Sequence, residues 1–139
     1  MNARHILAAS LLLAASYAAV SAQQQKVVVE PVAKTSATAA DQPVQFPASP
    51  EITAFRADIP AGLANAGFHK HPYQRLVYVL DGTLNVEHQG GAVQSYPAGS
   101  LLVEMRDIWH RPVTKDQHAR LLVIDFAPKG EPNQIAQQQ

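Results

Sequence analysis

The stretch GFHKHPYQRLVYVLDGTLNV, residues 67–86, places two histidines directly before an apolar, β-branched run. His69 and His71 are two residues apart, so on an extended chain both side chains leave the same face, about 6 to 7 Å apart at the backbone. Two imidazoles at that separation can bind one metal ion. A histidine pair on a strand can equally be two exposed side chains, and the spacing alone leaves both interpretations open.

The residues after Pro72 predict a strand that continues the face of the histidine pair. With pairing in the same register, Arg75, Val77 and Val79 point inward, because side chains alternate along a strand. The sequence therefore predicts an arginine inside the fold, four residues after His71.

Short strand signals fill the middle of the chain, with almost no helical period between them. They are EITAFRADI, RLVYVLDG, TLNVEH, AVQSY, LLVEM and ARLLVIDFA. Turn residues separate these runs, and Asp81-Gly82 between two alternating runs is the strongest hairpin signal. Short strands at roughly ten-residue spacing predict an all-β sandwich or barrel.

A third histidine lies in LLVEMRDIWHRPV, residues 101–113. His110 begins a new extended run after a loop, so a separate strand can contribute one further imidazole. Three imidazoles would form a metal site with open positions for water or substrate.

These motifs resemble the paired motifs of the cupin superfamily, in which Gly-x5-His-x-His-x3,4-Glu-x6-Gly precedes a Pro-x-Gly turn and a later histidine. The resemblance covers about residues 51–126 and includes the turn at 97–99. It implies an all-β, antiparallel jelly-roll β-barrel with Mn, Fe, Ni, Zn or Cu bound by His69, His71 and His110 at the barrel mouth. Cupins commonly dimerise through sheet edges, so a homodimer is one candidate assembly.

Two features depart from the family pattern. The leading glycine stands one residue too far from the histidine pair, with six residues between Gly62 and His69, which is an ordinary loop variation. The second departure is at the position of the family's glutamate. Arg75 stands where the family's glutamate ligand belongs, with six residues between it and Gly82. A guanidinium cannot be deprotonated to serve as a ligand, and its charge repels a divalent ion. The adjacent Gln74 offers a carbonyl oxygen, but a shift of one residue on a strand faces the opposite side.

Three interpretations of Arg75 remain open. In the first, Glu104 points to the same face of its strand as Leu102 and forms a buried ion pair with the arginine. In the second, Arg75 faces the cavity and binds a carboxylate or phosphate of a small ligand beside a three-histidine metal. In the third, the arginine displaces the metal and leaves a cavity that binds organic molecules.

Other polar and aromatic residues are weaker candidates. His88, next to Gln-Gly-Gly, and His118, in a polar turn, are expected at the surface. Trp109 is a candidate wall of the cavity or a core residue. Glu104 and Tyr73 are the nearby candidates for a general acid or base. The predicted ligand-binding residues are Arg75, Glu104, Tyr73 and Trp109.

The composition indicates one domain and argues against several classes of function. The chain has 139 residues, 47% of them hydrophobic, no cysteine, and 11 basic against 11 acidic residues. This length is sufficient for one core. Without cysteine there is no thiolate metal site, cysteine nucleophile or disulfide. Balanced charge and the lack of a Lys/Arg cluster argue against nucleic acid or an anionic membrane as a partner.

The N-terminal residues 1–22 predict a secretory signal peptide. They have a basic start, an apolar run and the small residues Val20 and Ala22, which place the cleavage before Gln23. The apolar run is shorter than the roughly 20 residues that a membrane-spanning helix needs. We therefore expect a periplasmic or secreted protein with no membrane association after cleavage.

The rest of the chain divides into three parts by composition. We expect an N-terminal arm over residues 23–48 with a candidate edge strand at 27–29, a cupin domain over 49–128 and a flexible tail over 129–139.

The function that these observations predict is that of an exported small cupin. It would bind a divalent metal through histidines, with a small organic ligand or substrate at the barrel mouth. If the protein is an enzyme, metal-dependent oxygenation or isomerisation is the expected chemistry. The alternative is a barrel that binds or senses small molecules without metal and without catalysis.

Overall fold

The fold is built from eight β-strands that form one sheet. The computed structural model describes residues 26–63 and 66–138, and the predicted signal peptide lies outside them. The strands are β1 (Pro50–Ile59), β2 (His69–Lys70), β3 (Gln74–His88), β4 (Val93–Pro97), β5 (Leu101–Val103), β6 (His110–Val113), β7 (Ala119–Pro128) and β8 (Ile135–Ala136). No helix in the described ranges is long and apolar enough to cross a membrane.

Strand β3 is the longest and organises the sheet. The order of neighbouring strands is β1-β7-β3-β6-β2-β8, and β4 and β5 also pair with β3. The first part of β3 pairs with β5 and β7, and its last part pairs with β4 and β6. All of these strand pairs are antiparallel, and the sheet curls into a half-barrel. The expected all-β, antiparallel architecture is confirmed.

The Asp81-Gly82 pair is a bend within β3, so the predicted hairpin at this position is wrong. The strand continues from Gln74 to His88 as 15 residues, with a register shift between Val79 and Asp81. Gly82 has a φ of 74°, and a Cβ at this position would collide with the backbone carbonyl of His118. An Asp-Gly pair supplies the same positive φ in a bulge as in a hairpin, so the sequence alone does not distinguish them.

Alternate residues of β3 and β7 form the apolar interior. Val77 and Val79 of β3 are 2% and 0% exposed, and Leu121 and Val123 of β7 are also buried. Burying one such side chain contributes roughly 1.5 to 3 kcal/mol. Arg75 lies on the same face of β3 and is buried, which confirms the inward register that the sequence predicts.

The N-terminal arm contacts the sheet without adding a strand. Val27 to Val29 are exposed and no strand is formed over residues 26–35, so the candidate edge strand is not present there. Further along, Ala39 N donates to Val103 O at 2.9 Å. The arm is therefore held by its later residues, and the β-branched patch has no strand to pair with.

The C-terminal tail adds strand β8 to the sheet. Strand β8 pairs with β2, and Gln137 N donates to Phe68 O at 2.9 Å. Asn133 is buried. Backbone and amide hydrogen bonds hold this polar segment, and hydrophobic periodicity does not detect such bonds.

Candidate metal centre and barrel cavity

The three predicted histidines converge at one end of the half-barrel. His69 in β2 lies directly opposite His110 in β6, and His71 follows β2 by one residue. The ring centroids are 4.7 to 5.0 Å apart, and one nitrogen from each ring lies within 4.8 Å of the others. His71 and His110 are 0% and 1% exposed. Strand pairing thus brings His110, which is distant in the sequence, to the pair formed by His69 and His71.

Backbone carbonyls orient two of these rings. His71 Nδ1 donates to Asn133 O at 2.6 Å, and His110 Nδ1 donates to Ile108 O at 2.8 Å. A carbonyl oxygen only accepts, so each Nδ1 carries the proton and each Nε2 of the neutral ring has a free lone pair. Hydrogen bonds of this kind fix the tautomer and orientation of histidines that bind metals.

Burial keeps the imidazoles of His69 and His110 neutral. It is the largest influence on His69 and, with the neighbouring histidines, lowers the pKa of that residue from 6.5 to about 4. Burial also lowers the pKa of His110, against the opposing influence of Glu104. At neutral pH these two rings therefore have lone pairs available for a cation.

Glu104 extends its carboxylate into the histidine cluster. Its Oε2 lies 2.8 Å from His71 Nε2 and 3.8 Å from His110 Nε2. Burial, the strongest influence on Glu104, raises its pKa, but the contact with His71 and the surrounding positive charges outweigh it and lower the pKa to about 2. Glu104 is a buried carboxylate at neutral pH.

Arg75 pairs with Asp125 and not with Glu104, so the first of the three interpretations of Arg75 is wrong about its partner. The guanidinium donates from Nε to Asp125 Oδ1 at 2.6 Å and from an Nη atom to Oδ2 at 2.8 Å. The two residues are directly opposite in the β3–β7 pairing. A second Nη atom lies 3.3 Å from both His71 Nε2 and Gln134 Oε1. Asp125 therefore occupies one of the two guanidinium edges that can bind a carboxylate in two-point fashion.

Asp125 and Asn133 are site residues that the sequence reasoning missed. Asn133 Nδ2 donates to Asp125 Oδ1 at 2.7 Å, and its carbonyl orients His71. The sequence contains a signal for Asp125, because it lies two residues after the buried Val123 on β7 and therefore faces the same side of the strand. Asn133 lies in the polar tail and carries no comparable signal.

Two predicted ligand-binding residues lie outside the cavity. Tyr73 lines a separate surface groove with Phe46, because Pro72 turns the chain before β3. Trp109 contacts Lys70, whose Nζ lies 5.4 Å from the ring centroid. Gln74 is buried and donates to the backbone carbonyl of Glu104 at 2.8 Å.

The two other candidate histidines do not belong to the three that converge. His118 contacts Asp81 at 2.7 Å in an exposed setting. His88 lies directly opposite His110 in the β3–β6 pairing, and its ring contacts Gln94 at 3.2 Å. His118 is therefore the cleaner control for metal binding.

A cavity of about 240 Å³ lies next to the histidine cluster. Its polar lining comes from His69, Arg75, Glu104, His110 and Gln134. Its remaining walls are apolar and are formed by Phe55, Ala57, Ile59, Val77, Leu84, Val86, Pro112, Leu121 and Val123. A mostly apolar cavity with a few convergent polar groups at one end is the usual form of a small-molecule site.

Residues 55–125 match the profile of the cupin domain family, which is just over half of the chain. The chain belongs to the cupin family. The predicted cupin-type fold is therefore confirmed. The family's glutamate position is filled in this cupin by Arg75.

Solved structures with the same fold include enzymes. The DMSP lyase DddQ from Ruegeria pomeroyi aligns with a TM-score of 0.52 and 23% identity over 60% of this chain and 42% of that chain. The polyketide cyclase RemF from Streptomyces resistomycificus aligns with a TM-score of 0.53 and 18% identity over 66% of this chain and 65% of that chain. A cupin-like protein from Thermotoga maritima aligns with a TM-score of 0.51 and 13% identity, covering 63% and 65%.

These structures establish the fold and no more, because the identities are low. The cupin spans less than half of the DMSP lyase and just under two thirds of the cyclase. A search of curated proteins finds no match to the chain.

The residues present fit a divalent metal ion. His110 Nε2 is buried and has no hydrogen-bond partner among the described residues, and the other two rings lie around the same point. A buried imidazole nitrogen without a donor is unfavourable unless a cation or proton satisfies it.

Proposed function

We propose that this cupin is an exported protein that binds one divalent metal ion through His69, His71 and His110 and a small organic ligand or substrate in the adjacent cavity. The observation that carries the proposal is the convergence of three imidazole nitrogens within 4.8 Å. The unsatisfied and buried Nε2 of His110 supports it.

The donor set suits Mn, Fe, Ni, Zn or Cu and does not select among them. Imidazole nitrogens bind Zn, Cu, Fe and Ni well, and a nearby carboxylate extends the range toward Mn. When bound, such an ion would polarise a ligand oxygen as a Lewis acid.

The chemistry of the cavity favours a ligand that is largely apolar and carries no net negative charge. The charge of Arg75 is neutralised by the two-point contact with Asp125. Glu104 adds a negative charge at the histidine end, which would repel an anion in the absence of a metal. The ligand would place one polar group at the histidines and its apolar part against the walls formed by β3 and β7.

Glu104 is the described residue best placed to move a proton if this cupin is an enzyme. It lines the cavity beside the histidines, so its carboxylate can reach the polar group of a bound ligand. A lyase and a cyclase share this fold, and an isomerase or oxygenase would use the same cavity. Tyr73 does not line the cavity and is not a candidate for this role.

A metal-free binding or sensing barrel is the second candidate function. It is favoured by one observation, the guanidinium nitrogen of Arg75 that lies 3.3 Å from His71 Nε2. That contact places a fixed positive charge beside a nitrogen needed for metal binding.

The test is a titration of metal-stripped protein with Zn²⁺ and Ni²⁺ by calorimetry. We expect one ion per chain and a loss of affinity in His69→Ala, His71→Ala and His110→Ala. His88→Ala and His118→Ala serve as controls and should bind as the wild type does. Equal binding by all five variants would contradict the proposed site and favour the metal-free barrel.

A further inference from the structure

We propose that Glu104 is the carboxylate ligand of the metal site, in place of the residue at position 75 that the family pattern would use. This inference rests on the proposed three-histidine site and adds a fourth ligand to it. In this cupin the carboxylate comes from the end of β5 instead of from β3.

The strand register explains how the carboxylate reaches the site. Leu76 pairs with Val103 in the antiparallel β3–β5 ladder, which places Arg75 opposite Glu104. Glu104 N donates to Arg75 O at 3.0 Å and confirms that alignment. Residues directly opposite each other on adjacent strands point to the same face of the sheet. Glu104 therefore enters the cavity from the neighbouring strand, beside the position that the arginine occupies.

When His71 is neutral, its contact with Glu104 lacks the proton that a hydrogen bond would need. His71 Nε2 lies 3.3 Å from an Nη atom of Arg75, which can only donate, and Nδ1 of the same ring donates to Asn133 O. In this tautomer the lone pair on His71 Nε2 faces a carboxylate oxygen 2.8 Å away. The lone pair on His110 Nε2 faces the same oxygen at 3.8 Å. Acceptors this close repel one another unless a cation or an added proton lies between them.

The surrounding contacts hold the backbone of Glu104 and balance the charge. Gln74 Nε2 donates to the carbonyl of Glu104 at 2.8 Å, while Asp125 neutralises the guanidinium of Arg75. With the arginine neutralised, the carboxylate of Glu104 is the charge that offsets a divalent ion.

Glu104→Gln tests this role with little change of shape, and Glu87→Gln is the matched control. Glu87 also follows a buried position on its strand, but it pairs with Arg111 at 2.8 Å, and Arg111 faces the opposite side of β6 from His110. Loss of a residue that only supports a metal ligand lowers metal affinity about 10- to 100-fold, so loss of a direct ligand should lower it by about 100-fold or more. Glu87→Gln should bind Zn²⁺ as the wild type does.

Two further measurements keep the result independent of folding. Addition of Zn²⁺ to the wild type should shift a carboxylate stretching band in the infrared difference spectrum, and Glu104→Gln should lack that shift. Glu104→Asp keeps the charge on a shorter side chain, so it should bind Zn²⁺ with an affinity between those of the wild type and Glu104→Gln. The same variant serves as the test if Glu104→Gln does not fold.

The failure of this inference is distinguishable from failure of the histidine site. If Glu104→Gln binds Zn²⁺ as tightly as the wild type while the histidine variants are weakened, Glu104 is not a ligand and the three-histidine site stands. A wild-type difference spectrum without a carboxylate band would overturn the inference in the same way. If the histidine variants also bind normally, the site itself is absent.

Discussion

Replacing Arg75 by methionine should destabilise the metal-free protein, because it leaves the carboxylate of Asp125 buried without its partner. Both side chains are about nine-tenths buried, and two charge-assisted hydrogen bonds of 2.6 and 2.8 Å join them. Removing one member of a buried ion pair costs about 3 to 5 kcal/mol. Asn133 would still donate to Asp125 at 2.7 Å, which favours the lower end of that range.

The assay is urea denaturation of metal-free protein, with Arg120→Met as the matched control. Arg120 pairs with Asp58 at 2.9 Å, but their side chains are 54% and 73% exposed, so this variant should unfold almost as the wild type does. Arg75→Met combined with Asp125→Leu should recover much of the lost stability, since an apolar pair of similar volume often replaces a buried ion pair without loss. The reasoning would be refuted by a loss below about 1 kcal/mol in Arg75→Met, or by equal losses in the two arginine variants.

Three further predictions concern the bend in β3, the acid sensitivity of the fold and the processing of the chain. Gly82→Ala should destabilise the protein by more than about 1 kcal/mol in urea denaturation, because alanine is strained at positive φ and its Cβ meets the carbonyl of His118. Gly90→Ala is the control, since Gly90 also has a positive φ but lies in open space, and it should destabilise the protein clearly less. Equal losses of stability in the two variants would argue against the close approach at Gly82. The metal-free protein should lose about 1 to 2 kcal/mol of stability from about pH 7 to about pH 5. Stability falls with pH because the pKa of His69 is about 4 in the folded state and 6.5 ordinarily, so the unfolded chain binds more protons between these values. An unchanged stability in the wild type, or an equally large fall in His69→Gln, would contradict this cause. Mass spectrometry of protein from the exported fraction should show a chain that begins at Gln23, whereas a mature chain that retains residues 6–20 would refute the signal peptide.

Much of the fold could be predicted from local sequence patterns. The alternation of β3 correctly predicts that Arg75 points inward with Val77 and Val79, because the two-residue period of a strand needs no knowledge of its neighbours. The His-x-His spacing and the later histidine likewise identify the three imidazoles that converge in the structure.

Other features depend on pairing between distant strands and could not be predicted locally. Asp125 lies 50 residues after Arg75, and only the β3–β7 register brings them together. Glu104 was identified as an inward acid, but its actual neighbours are His71 and His110 and not the arginine. Asn133 is held by hydrogen bonds in a polar tail, where no hydrophobic pattern marks it.

The most direct test of the proposed metal site is the metal content of the protein recovered from its native compartment without added metal. Elemental analysis should find close to one divalent transition-metal ion per chain, since three imidazoles converge and a carboxylate lies beside two of them. His110→Ala, prepared in the same way, should have lost most of that ion, while His118→Ala should retain it. A wild-type protein that is folded, correctly processed and free of metal would contradict the proposal.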